Sequence, residues 1–453
     1  MSEIVTRPAH ELAVALRRRE VSSRELLDCY LERVERLNPL LNAVVTLDPY
    51  GAQRAADAAD AALARGDVYG PLHGVPMTIK DTYETAGIRT TCGLEAWDHV
   101  PERDAEAVRR LREAGAVIFG KTNTPKLAGD WQTFNPIFGT TNNPWDTTRS
   151  TGGSSGGSAA ALAAGLTALE LGSDIAGSIR VPSNWCGTCG HKPSWGVVPQ
   201  RGHLPPPPGA LADTDLNVVG PMARDVDDLE MALDILAGAG GHRATGWRLE
   251  LPAARAKALS ELRLAVWLDD PAYPVEDDVR SVLESAVTAV RQAGARIVDV
   301  RPPVALPEVV GLHMELLYPL MERSSKLLHR DWLAANEKRE QLRARVADFF
   351  REVDALLMPV AVVSAIAHDH DKPLARRKIH TDGGTRPYLD MFGWVGLATV
   401  AYLPATVVPV GRTPSGLPVG IQIVGPYLED RTTLAAARCV EELLGGFVPP
   451  PGC

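Results

Sequence analysis

Apolar residues recur every three or four positions across residues 9–37 (Leu12, Leu16, then Leu26, Leu27, Leu31 and Val34). That period predicts two amphipathic helices, with Ser22 or Ser23 as the cap between them. The alanine-rich, charged segment 51–66 predicts a third helix. The pattern then changes to a short strand-like run, Leu72 to Asp81, ending in Lys80 and Asp81. A helix at 104–115, a strand at Ala116–Gly120 and a Thr/Asn/Pro/Gly-rich loop from Lys121 to Arg149 follow. Beyond residue 200 come an extended, exposed proline run (Pro205–Pro208), a helix at Val226–Leu236, and strand–helix–strand at 262–268, 275–293 and 295–300. Residues 305–350 read as charged helix and 364–390 as a polar loop. Val400–Val410 and Pro418–Val424 read as strands, before a closing helix at 430–444. This alternation argues an α/β chain, and one large domain is its simplest organisation.

Residues 150–198 stand apart. Two Gly/Ser-rich turns, Gly152–Gly157 and Ala176–Ser178, bracket an alanine-rich helix. Glycines beside serines mark places where the backbone approaches something closely or takes a positive φ. The stretch reads as a hydrolase site built from backbone amides and two serines.

Composition narrows the choice of chemistry only a little. The 453 residues are 45% hydrophobic and 23% charged, with a formal net charge of -9. That balance offers nothing to attract nucleic acid or an anionic membrane surface. No apolar stretch of about 18 residues suggests a membrane span. The start, MSEIVTRPAHELAVAL, lacks the order of a secretory signal. The six cysteines are scattered, and Cys186-x-x-Cys189 has no second pair nearby, so packed free thiols in a cytoplasmic protein are expected. His368, Asp369, His370 and Asp371, with His380, read as a solvated loop rather than a metal site.

A serine needs a base to become a nucleophile at neutral pH. Residues 152–157 match G-x-S-x-G, but a loop rather than a strand precedes Ser154, so the nucleophile-elbow context fails. Lysine is the alternative base. Lys80, one of nine lysines, ends an apolar run where burial would favour the neutral amine.

Several separated segments resemble the amidase-signature hydrolases. They are Gly74–Asp81 (GVPMTIKD), Gly152–Gly157 (GGSSGG), Leu171–Pro182 (LGSDIAGSIRVP) with Cys186-Gly187 and Lys192-Pro193, Gly220–Arg224, and Gly416–Gln422. The resemblance runs from about residue 10 to 445 and is weakest between 240 and 395. It implies a central mixed, twisted β-sheet flanked by many α-helices, with a catalytic core at about 70–200 and a variable rim at about 305–395. It makes Ser178 the nucleophile, Ser154 a bridging serine on a cis peptide, and Lys80 the base. The oxyanion would be held by the backbone N–H groups of Ile175, Ala176, Gly177 and Ser178. Ala128, Gly129 and Asp130 would line the acyl side of the cleft. Where many members have two glycines before the nucleophile, this chain has Ala176-Gly177.

Other residues have quieter expectations. Ser155 should bond the loop, Asp174 and Arg180 should pair as a buttress, and Asp81 should point away from Lys80. Met314, Leu317, Tyr318 and Met321 form an apolar face expected in the core. No metal or cofactor is implied. The expected substrate is a small amide or carbamate (a urethane among them), and a homodimer is compatible with the family. Two other readings stand beside this one. One is an amidotransferase subunit that releases ammonia from glutamine for a partner, and the other is a non-catalytic binding protein.

Overall fold

Short apolar runs separated by helices assemble into two sheets. The computed structural model describes residues 4–321 and 328–453, the side chains of residues 320 and 321 excepted. The larger sheet has eight strands. Their order is Arg296–Ile297, Arg263–Val266, Ala355–Pro359, Pro418–Val424, Ala405–Arg412, Cys189–Lys192, Val218–Ala223 and Glu170–Asp174. Arg263–Val266 is parallel to both its neighbours, and each later pair is antiparallel. In the smaller sheet, Val117–Thr122 lies between Val44–Leu47, antiparallel, and Pro76–Lys80, parallel. Helices flank the large sheet, so the α/β architecture with a central mixed sheet is observed. Its central strands Ala355–Pro359 and Pro418–Val424 are buried throughout, as strands covered on both faces must be.

Local chemistry fixes the helix starts. Ser22 Oγ accepts the Glu25 N–H at 3.1 Å while Glu25 Oε2 accepts the Ser22 N–H at 2.9 Å, a reciprocal cap on the helix Ser23–Leu41. Asp225 caps Val226–Leu236 by accepting the Asp228 N–H at 2.8 Å. The Asp228 carboxylate in turn accepts the N–H groups of Ala9 and His10 at the first turn of the helix Ala9–Arg17.

Three readings change. The apolar run from Val400 divides into the end of a helix, Phe392–Val400, and a strand beginning at Ala405. All nine residues of that helix are buried, so it has no polar face and its period is invisible. The segment 364–390 contains a hairpin, Lys378–Thr381 with Gly384–Pro387. Pro205 and Pro206 are half-buried rather than extended into solvent, and the Leu204–Pro205 and Pro205–Pro206 bonds are cis. The strands Val44–Leu47, Val218–Ala223 and Ala355–Pro359 had no reading of their own, and Glu170–Asp174 lies inside the stretch bracketed by the two serine turns.

The two sheets meet along a polar seam. Buried Glu170, on the edge strand of the large sheet, accepts hydrogen bonds from Thr78 and Thr122 of the small sheet. Tyr83 Oη donates to Gly172 O at 2.6 Å. Burial pushes the Glu170 carboxyl up to about 7.

At the other end of Glu170–Asp174 sits the buttress. Arg180 binds Asp174 through two nitrogens, at 2.9 and 3.0 Å, and neither side chain is exposed. The guanidinium also donates to Val395 O, Gln422 Oε1 and Thr399 Oγ1. It thereby joins the 174–180 turn to the helix Phe392–Val400 and the strand Pro418–Val424. Burial alone would raise the Asp174 carboxyl, but the Arg180 charge and hydrogen bonds hold it below the usual range. Removing one partner of a buried pair leaves an uncompensated charge. Arg180→Met should therefore lower the free energy of unfolding by about 3–5 kcal/mol, read from the urea midpoint.

Candidate active site

The Gly/Ser turn owes its glycines to close packing. A Cβ on Gly153 would lie 2.4 Å from Asp130 O, so only glycine lets the turn pass beneath the 127–131 loop. The Gly153–Ser154 peptide is cis. Beyond it, the helix Gly156–Ala163 is buried on every side.

Lys80 lies at the end of Pro76–Lys80, in the seam. Its Nζ is 2.8 Å from Ser154 Oγ and 2.9 Å from Ser173 Oγ. The side chain is fully buried, and burial pushes its ammonium down to about 7 against the opposing pull of Cys92, Asp174 and Glu170. Asp81 is turned elsewhere: it accepts from Thr91 and sits 3.5 Å from Lys121 Nζ. Ser154, Ser173 and Ser178 all open onto one cavity of about 260 Å³. Ser173, within hydrogen-bonding reach of Lys80, was not singled out from the sequence. Its position in LGSD next to the Asp174 buttress is the signal that could have found it.

The loop before the nucleophile can be followed peptide by peptide. The Ile175 carbonyl accepts from His313 Nε2 at 3.0 Å, and the Ala176 carbonyl accepts from Trp131 Nε1 at 2.7 Å. The Gly177 carbonyl accepts the Val181 N–H, and the Ser178 carbonyl accepts the Ser155 N–H. Asp174 takes the N–H groups of Gly177 (2.8 Å) and Ile179 (3.1 Å). Among the described residues this leaves the N–H groups of Ile175, Ala176 and Ser178 without an acceptor. The expectation for Gly177 is corrected, because its N–H is held by the buttress carboxylate and is not free for an oxyanion. Gly177, not Ala176, takes the positive φ, 91°, so the alanine is accommodated without left-handed strain. Ser155 Oγ bonds the Ser173 backbone, a structural position.

Ala128, Gly129 and Asp130 line this cavity. Leu127 and Ala128 both adopt left-handed backbone, at φ 55° and 53°, a conformation that costs about 1–3 kcal/mol per residue and is held by its surroundings. Asp130 has no free oxygen for a ligand. Arg377 Nη1 is 2.5 Å from Oδ2, while Tyr388 Oη and the Gln132 N–H donate to Oδ1 at 3.0 and 3.2 Å. Asp130 therefore ties the 127–131 loop to Arg377 and Tyr388. The opposite wall comes from Met314, Leu317, Leu374, Leu389 and Phe392. Met314 and Leu317 are thus cavity wall and not only core, Tyr318 is 53% exposed, and the side chain of Met321 lies outside the described residues. Trp131 packs edge-on against Tyr388 and Phe392. His203, Pro205, Pro206, Thr214 and Asn217 complete the enclosure.

The other sequence candidates are dispersed. Cys186 and Cys189 are buried free thiols bonded to the carbonyls of Thr151 and Arg224. His370 stacks on Phe134, and His380 pairs with Thr385. Among the described residues no helix is long and apolar enough to cross a membrane.

A buried lysine at the end of a strand, three cavity-facing serines and the free backbone N–H groups of Ile175, Ala176 and Ser178 define a class of α/β protein with a serine–lysine site. The chain belongs to the amidase family, whose sequence profile matches residues 25–318 and 306–434. It is 31% identical over 488 residues to a glutamyl-tRNA(Gln) amidotransferase subunit of Heliobacterium modesticaldum, covering 98% of each chain. A crystal structure of an amidase superimposes with a TM-score of 0.80 at 30% identity, covering 97% of this chain and all of that one. The structure of 6-aminohexanoate cyclic dimer hydrolase complexed with substrate gives a TM-score of 0.81 at 26% identity and 99% coverage of both.

The Asp130–Arg377 tie generates a prediction. Asp130→Asn should release the rim, exposing residues 370–387 to limited proteolysis several-fold faster than in the wild type. Cleavage at the wild-type rate would show that the tie does not hold the rim.

Proposed function

We propose that this chain hydrolyses the C–N bond of neutral carboxylic amides or carbamates, linear amides included, through an acyl-enzyme on Ser178. The observation that carries the reading is the fully buried Lys80 amine, 2.8 Å from Ser154 Oγ, at the cavity that Ser178 also faces. A neutral amine can accept a proton, and burial favours the neutral form.

In the proposed cycle, Ser178 Oγ attacks the carbonyl carbon. Its proton passes to Ser154 Oγ as Ser154 gives its own to Lys80 Nζ. The oxygen of the tetrahedral intermediate is held by the N–H groups of Ile175, Ala176 and Ser178, with Gly177 left out of the donor set. Collapse breaks the C–N bond, and the departing nitrogen takes the proton back through Ser154. Water then attacks the ester with the same relay, releasing the acid and restoring Ser178.

The substrate reading rests on the cavity wall. Among its described residues Asp130 is the one charged side chain, and Arg377 already neutralises it. A zwitterionic glutamine would bury an ammonium and a carboxylate with no unpaired partner, which costs far more than burying a neutral amide. The glutamine-dependent amidotransferase subunit remains the second reading, favoured by the relatives named above.

Three outcomes follow. Incubation with activated aryl amides, anilide carbamates and glutamine, followed by intact-protein mass, should give an acyl adduct from the first two. The adduct should vanish in Ser178→Ala. An adduct from glutamine alone would favour the amidotransferase reading, and none from any of them the non-catalytic one. Lys80→Met should lower kcat by at least about 10³-fold, within the range expected for loss of proton transfer together with misplacement of its partner. Because Lys80 acts as the neutral amine, kcat should fall about tenfold per pH unit below about 7 and level off above it. A flat profile between pH 5 and 9 would remove Lys80 as the base.

A further inference from the structure

We infer that His313 is a positioning residue for the oxyanion site: its ring N–H fixes the Ile175–Ala176 peptide so that the Ala176 N–H faces the developing negative charge. The inference rests on the hydrolase reading above. A peptide plane has two ends, so whatever holds its carbonyl also aims its N–H. For this plane the N–H has no acceptor among the described residues, and the carbonyl is held by His313 Nε2 at 3.0 Å. No strand pairing holds it, since the paired strand stops at Asp174. Without the imidazole the plane could rotate and turn its N–H away. Hydrogen bonding at the carbonyl also polarises the amide, strengthening the donor at its other end.

The ring is well suited to this task. It is fully buried, and its edge-to-face contact with Phe392 sets its plane. Since a carbonyl can only accept, the proton is on Nε2; Nδ1 has no partner among the described residues. Burial keeps the ring neutral, pushing it down to about 4 against the pull of its bond to Ile175. Arg180 lies close enough to disfavour a second positive charge, while Asp174 and Asp215 act the other way. The next residue, Met314, and Leu317 one turn on both form cavity wall.

The test separates orientation from packing. His313→Phe and His313→Leu remove the donor, whereas His313→Gln keeps an N–H that can reach the carbonyl. With an amide substrate, the first two should lower kcat by about 10²-fold, the loss typical of one oxyanion donor, with KM within about twofold. The Gln variant should recover to within about tenfold of wild type. Inhibition by a trifluoromethyl ketone, which forms a tetrahedral adduct, should weaken by the same factor as kcat, while inhibition by the product acid should not change. Wild-type kcat in Phe or Leu overturns the inference. So does an equal loss in all three variants, or a loss carried by KM. If Phe and Leu fail to fold while Gln folds, the role is structural and the inference is overturned as well. Labelling of wild-type Ser178 by a fluorophosphonate, absent in Ser178→Ala, is the control. Its failure would count against the hydrolase reading itself, whereas intact labelling with an unaffected Phe variant would count against His313 alone.

Discussion

The Asp174–Arg180 pair is the constraint on which the site depends. A carboxylate and a guanidinium with no exposure are expensive to bury, and they are tolerated because nearly every polar atom on both is bonded. Asp174 receives three backbone N–H groups besides Arg180, those of Gly177, Ile179 and Arg180. Arg180 reaches across to Val395, Thr399 and Gln422. The end of the strand Glu170–Asp174, the turn after it and the start of the next helix are therefore one rigid piece. That rigidity lets Ile175, Ala176 and Ser178 keep N–H groups free without the turn collapsing onto them.

The lysine depends on a different feature, the seam between the sheets. A buried amine needs polar neighbours that do not fully repay its charge, or it would remain an ammonium. Ser154 and Ser173 are neutral, Asp81 is drawn off by Lys121 and Thr91, and Glu170 is occupied by threonines. The small sheet supplies Lys80, the edge of the large sheet supplies Ser173, and the Gly/Ser turn supplies Ser154. Each group is held by its own backbone, so the serine–lysine contact does not rely on a flexible loop.

Much of this was legible in the chain, for physical reasons. Gly153, Gly177, Ser154, Ser178 and Lys80 lie in short local stretches whose residue types are dictated by close approach, positive φ and burial. Ser22 and Asp225 announced their helices because a cap is a local event. What the sequence hid was decided at long range. His313, Arg377, Tyr388 and Phe392 reach the site from 130 or more positions away in the chain, and nothing in their neighbourhoods marks them out. The helix Phe392–Val400 was invisible because burial on every side erases periodicity. The engagement of Gly177 was hidden for another reason: its N–H looks like that of its neighbours until the position of the Asp174 carboxylate is known. The pairing of Asp130 with Arg377 was hidden likewise, because its cation lies 247 positions away.

Besides residues 203–217, the cavity wall draws on two distant parts of the chain. The serines, the free N–H groups and the lysine behind them all come from residues 80–178, whereas Met314, Leu317, Leu374, Leu389 and Phe392 come from the last third of the chain. On the proposed reading, bond-breaking and the choice of acyl group would rest on separable parts of one chain. Apolar side chains on the far wall can be exchanged for one another at modest cost without touching the Lys80–Ser154 contact. If the proposed reaction holds, such a chain would drift from one neutral acyl group to another through single substitutions at that wall, which makes substrate preference its most changeable property.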